Sequence, residues 1–115
     1  MGKSLSNNKS IENIFPTIKE VEIRLASLGF RRLGFLYSEK DFGNFVINYT
    51  NDDILIRIIR DRGQIFVEAR GQNKQWIYVP KALQINDIST PPRLHVVIDE
   101  IFNKFQILTN LVSKA

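Results

Sequence analysis

Between Phe35 and Arg70 apolar residues recur at every second position, and only short clusters of turn-forming residues separate the runs. No other feature constrains the fold as much. Period-two alternation predicts strands with one apolar face. Parallel pairing of such strands needs crossovers of about a dozen residues or more, and the connections here are too short. Phe35 to Glu39 reads as a first strand and Lys40-Asp41-Phe42-Gly43-Asn44 as the turn after it. Phe45, Ile47 and Tyr49 alternate with Val46, Asn48 and Thr50, and Asn51-Asp52-Asp53 turns the chain again. Ile54, Ile56 and Ile58 make one face of a third strand, with Leu55, Arg57 and Ile59 on the other. Asp61-Arg62-Gly63 reads as a bulged hairpin loop in which Gly63 supplies the positive φ. Ile65, Val67 and Ala69 then alternate with Phe66, Glu68 and Arg70. The expectation is a four-stranded antiparallel meander.

Helical spacing brackets this sheet. Ile11, Ile14, Ile18, Val21, Leu25 and Leu28 recur at a helix period. Pro16 is tolerated only in a first turn, so the helix is expected to start at Asn13 to Phe15 with Asn13 as N-cap, and Gly29 ends it. After the polar loop from Gly71 to Gln75, Trp76-Ile77-Tyr78-Val79 re-enters the core or adds a short strand, and Pro80 to Leu83 makes a helical turn. Thr90, followed by Pro91 and Pro92, signals a helix start. Leu94, Val97, Ile98, Ile101, Phe102, Phe105, Leu108 and Val112 trace one apolar stripe beyond it. The fold class is therefore α+β, a single domain over 11–115. Its N- and C-terminal helices pack on one face of the sheet, and residues 1–10 form a poorly ordered polar start.

Composition narrows the chemistry. The 115 residues include no cysteine, which excludes disulfides, thiolate zinc sites and a cysteine nucleophile. His95 is the single histidine; Asp99, four residues on, lies on the same side of the last helix. No nucleophile stands beside that pair in sequence, so a structural or surface histidine is the better reading. Asp52-Asp53 and Asp99-Glu100 lack metal-ligand spacing, and the glycines fit no phosphate-binding loop. Neither an enzyme nor a cofactor or metal protein is expected. A formal charge of +4 and a pI near 9.6 invite a nucleic-acid reading. Yet Lys3 and Lys9 supply half of that excess, and residues 41–90 hold six basic and six acidic groups. A small nucleic-acid-binding module is thus the alternative and no direct nucleic-acid contact the expectation. No run suits a signal peptide or a membrane span, so a cytoplasmic protein is expected.

The informative surface is the hairpin. Arg57, Glu68 and Arg70 share a strand face with Leu55, Ile59 and Phe66, while Arg60, Asp61 and Arg62 lie at its tip. Such a mixture suits a protein–protein interface; an Arg57–Glu68 cross-strand ion pair on a partly covered face is the alternative. Trp76 is either a core residue or an interface hot spot. Arg57, Arg60, Asp61, Arg62, Glu68, Arg70 and Trp76 are the partner-binding candidates.

The run from Phe35 to Leu83 carries Phe42-Gly43-Asn44 before a strand, then Ile56-Arg57-Ile58-Ile59-Arg60-Asp61-Arg62-Gly63-Gln64-Ile65-Phe66-Val67-Glu68, then Trp76 before a short helix. In this it resembles immunity proteins of bacterial polymorphic-toxin and contact-dependent growth inhibition systems. The resemblance implies a non-catalytic cytosolic inhibitor whose partner is the C-terminal domain of a cognate toxin. Such toxins are commonly nucleases, including enzymes that cut transfer RNA. Inhibitors of basic nucleases are often acidic, and the +4 of this chain departs from that pattern. The resemblance assigns no binding residues and leaves the oligomeric state open.

Overall fold

A computed structural model describes residues 11–13, 15–38, 43–72 and 74–115. The expected free start at 1–10, Ile14, Glu39 and turn residues 40–42 lie outside that set. The first full helix, α1, spans Ile18–Ala26 with Thr17 at the N-cap position, so Asn13 does not cap it. Residues 11–13 form a separate turn, closed where the Phe15 N–H donates to the Ile11 carbonyl at 2.7 Å. Pro16 has no N–H to continue that ladder, and the helix restarts beyond it. It ends as expected, with the Phe30 N–H reaching back to the Leu25 carbonyl across Gly29.

Five strands follow, one more than the meander expected from sequence: β1 Arg31–Ser38, β2 Asn44–Thr50, β3 Ile54–Asp61, β4 Gln64–Gly71 and β5 Ile77–Tyr78. They lie in sequence order, each antiparallel to its neighbours. The extra strand, Ile77–Tyr78, is the short one that the Trp76–Val79 run allowed, and two residues are too few to show a period. β1 also starts earlier than Phe35, because Arg31 and Arg32 enter it with their charges matched. Arg31 bonds Asp52 at 2.9 Å, and Arg32 grips Glu22 through Nε at 2.7 Å and Nη2 at 3.0 Å. The β3–β4 loop carries no bulge: Asp61 pairs with Gln64, and Arg62 and Gly63 both take positive φ, the two-residue type I′ geometry. The β2–β3 turn lies where expected, and Asn51 Oδ1 holds it by accepting from the N–H groups of Asp53 and Ile54.

One face of the sheet carries Phe45, Ile47, Tyr49, Ile54, Ile56, Ile58, Val67 and Ala69, all buried. Against it pack α1, a short α2 (Val79–Ala82), α3 (Leu94–Asn103) and α4 (Phe105–Lys114). The expected continuous last helix is two helices, broken at Lys104 with φ −118° and ψ 32°. The break sets Phe105 edge-on against Phe30 at 5.9 Å and leaves Phe102 outside under the Arg24 guanidinium. Thr90 does not cap α3. Arg93 holds the N-cap position, and Asp87 accepts its backbone N–H at 2.9 Å while bonding its guanidinium through both oxygens. Hydrogen bonding from Arg93 holds the Asp87 carboxyl down to about 2. A charged contact crosses from α1 to the sheet: Glu22 accepts from the Tyr49 hydroxyl at 2.9 Å as well as from Arg32. Burial first, then the Glu22 carboxylate, drives the Tyr49 hydroxyl far above its ordinary pKa.

Candidate protein-binding face

The strand alternation that buries one face sends Leu36, Val46, Asn48, Leu55, Arg57, Ile59, Phe66, Glu68, Arg70 and Tyr78 to the other. No described helix covers that side. Register orders these residues into rows. Leu36 opposes Val46, Val46 opposes Ile59 and Ile59 opposes Phe66, an apolar row crossing four strands. With strands ~4.8 Å apart it runs ~14 Å. Beside it Asn48, Arg57, Glu68 and Tyr78 form a polar row.

Arg57 is the centre of the polar row. Its Nε donates to Glu68 Oε1 at 2.6 Å from the directly opposed position on β4. Its guanidinium also lies over the Trp76 ring, 3.9 Å from the centroid, and that of Arg70 stands 5.2 Å from the same ring. Trp76 is therefore a half-buried residue of the open face and not a core residue. The cause is parity: Ile77 pairs with Ala69 and turns inward, so Trp76 and Tyr78 turn outward. Tyr78 packs tilted on Phe66 at 6.4 Å. Burial and the neighbouring Glu68 carboxylate raise its hydroxyl pKa.

Arg57, Glu68 and Arg70 share this face, as the hairpin pattern predicts, and Trp76, which that pattern does not place, joins them. Arg60, Asp61 and Arg62 do not join them. Asp61 is four residues along β3 from Arg57, ~14 Å away, and Arg60 has the parity of the buried Ile58. At that tip Asn44 bonds Asp61 through Nδ2 and accepts the Arg62 N–H through Oδ1. A hollow of ≈ 350 Å³ opens there between Leu36, Tyr37, Phe45, Ile59 and Arg60. Leu36, Val46 and Tyr78 complete this face from outside the hairpin. Their strand parity identifies them once the register is known.

His95 lies elsewhere, on a groove of ≈ 370 Å³ between α1 and α3. The His95–Asp99 contact that the spacing permits does not form; Asp99 is held instead by Arg24 of α1 at 2.7 Å. Among the described residues no three His, Asp or Glu side chains are grouped to hold a metal ion, and no helix is long and apolar enough to cross a membrane. Comparison of the chain with protein-family models, curated proteins and solved structures gives no match.

Proposed function

We propose that this protein is a non-catalytic, cytoplasmic inhibitor of the immunity type. It neutralises the toxic domain of a partner, most readily a nuclease, by covering it with the open face of its sheet. The observation that carries the reading is that face itself. A long apolar row lies beside an arginine–tryptophan cluster on a surface that the chain's own described helices leave uncovered. Aromatic residues and arginine are the side chains that dominate binding energy at protein interfaces. Trp76 is held in place by Arg57, and Arg57 by Glu68, so little side-chain freedom remains to be lost on docking.

The second reading is a small nucleic-acid-binding module. Trp76 with Arg57 and Arg70 supplies the stacking surface and positive charge that single strands favour. Two features weigh against it: Arg57 already occupies the ring face, and Glu68 neutralises Arg57.

The test is protection in cells. Co-expression with the toxin domain encoded beside it should keep the host alive, and the pair should co-purify. Trp76→Ala should weaken the complex by at least about thirtyfold, the loss of a ≥ 2 kcal/mol hot spot. Ile23→Ala, on the far side of α1, should leave it intact. Cell death despite folded inhibitor sinks the proposal. Retention on RNA that falls steeply with salt would favour the second reading instead.

A further inference from the structure

The two edges of the sheet are built differently. β5 offers two residues, Ile77 and Tyr78, before the chain enters α2 at Val79. β1 offers eight, and among the described residues it pairs with β2 alone. Long open edges recruit another strand unless charge, proline or a bulge blunts them. The first half of β1 is blunted so, by Arg31, Arg32 and an irregular register between Arg32 and Gly34. The second half is not. Phe35, Leu36 and Tyr37 carry neither charge nor proline, and Leu36 is 70% exposed. Phe35 and Tyr37 stack almost parallel, 13° apart at 6.2 Å, which fixes both rings on the side opposite Leu36.

Read in either direction, residues 34–38 give the same order of shapes: small, aromatic, leucine, aromatic, small. We propose that this edge pairs with the same edge of a second copy of the chain, antiparallel, about a two-fold axis through Leu36. Position i then faces position 72 − i. Leu36 meets Leu36 of the second copy, Phe35 meets Tyr37, and Gly34 meets Ser38. An isologous contact requires a patch that complements itself, and this segment does. The register opposes no like charges within 34–38. An axis moved two residues toward Arg32 would set that arginine against Leu36 and carry the pairing across the irregular register. Pairing at Leu36 also buries the exposed leucine and extends the row Leu36–Val46–Ile59–Phe66 through the axis into the second copy. The inference stands apart from the inhibitor reading, since either can hold without the other.

Sedimentation velocity and light scattering on the full chain test it. The mass should rise with concentration from 13.3 kDa to twice that value. Leu36→Lys should remain at 13.3 kDa with unchanged circular dichroism and the thermal midpoint of the wild type at concentrations where that is monomeric, because the position is exposed in the single chain. The chain has no cysteine, so Leu36→Cys places one thiol on the axis. Opposed Cα atoms in an antiparallel pair lie ~4.5–5.5 Å apart, within disulfide reach. Mild oxidation should convert Leu36→Cys to a covalent dimer. Leu33→Cys, also well exposed at 54%, should not form one, since its opposite number is position 39. Three results overturn the proposal: a wild type monomeric at every concentration, a Leu36→Lys variant that dimerises like the wild type, or equal cross-linking from positions 33 and 36.

Discussion

The two faces of this sheet are made by the same three central strands yet obey different rules. On the helix side, Ile47, Ile56, Ile58 and Val67 are buried without a polar atom among their side chains. One residue away along each strand, Asn48, Arg57, Ile59 and Glu68 stand half-buried in mixed company. A face meant only for water would not place Ile59 and Phe66 beside Val46, and a second core would not hold Arg57, Glu68 and Arg70. The helix side carries the core, and the proposed inhibitor reading gives the open side the contact, so substitutions on the two should separate folding from binding.

The largest effect should come from the helix side. Ile56→Ala, at a fully buried position, should cost about 2–5 kcal/mol of unfolding free energy, against under about 1.5 kcal/mol for the adjacent Leu55→Ala. Urea titration of both variants reads the contrast directly, and equal losses would break it. Next comes the polar contact that fastens α1 to the sheet. Glu22→Ala leaves the buried Tyr49 hydroxyl without its acceptor and should cost about 1–3 kcal/mol in the same titration. On the open face the Arg57–Glu68 pair should count for little in folding. A double-mutant cycle with alanine at each position should give a coupling of ~0.5–1 kcal/mol, while the same variants weaken the partner complex far more. A coupling of several kcal/mol would mark the pair as structural.

The smallest effect belongs to neither face. Asp87 keeps its proton off until pH falls to about 2, whereas an unfolded aspartate titrates near 3.9. A depressed folded-state pKa means the native state binds fewer protons. Its contribution is therefore whole above about pH 4 and is lost as pH falls toward 2. Asp87→Asn should flatten that part of the acid limb and leave stability at neutral pH nearly independent of pH. An unaltered acid limb would mean that the Asp87–Arg93 contact adds nothing to stability in that range.

Much of this was legible in the sequence, and the failures share a cause. The strand faces from Phe45 to Arg70, the turns at Asn51 and Gly63, and the Arg57–Glu68 pairing follow from period and spacing, which are local. The errors lie where partners are distant. Local chemistry assigns the helix start to Thr90, whereas Arg93 holds the N-cap position and gives its own N–H to Asp87, six residues upstream of it. Arg24 takes Asp99 from His95 across two helices. Lys104 breaks the last helix with neither glycine nor proline to announce it, in a position where Phe105 meets Phe30 from the far end of α1. Trp76 was ambiguous because two strand residues carry no period; pairing of Ile77 with Ala69 decides its direction. The candidate site was half legible for the same reason: Arg57, Glu68 and Arg70 share a hairpin, whereas Leu36 enters only through the register of β1 on β2.

Trp76 is the only tryptophan in the chain, and it stands on the open face against Arg57. Its emission is therefore a built-in optical reporter of one surface. Covering that face should shift the spectrum to the blue, with no label attached. Pairing at β1, the opposite edge of the sheet, should leave the spectrum unmoved. One unmodified protein can thus signal which of its two surfaces has been engaged.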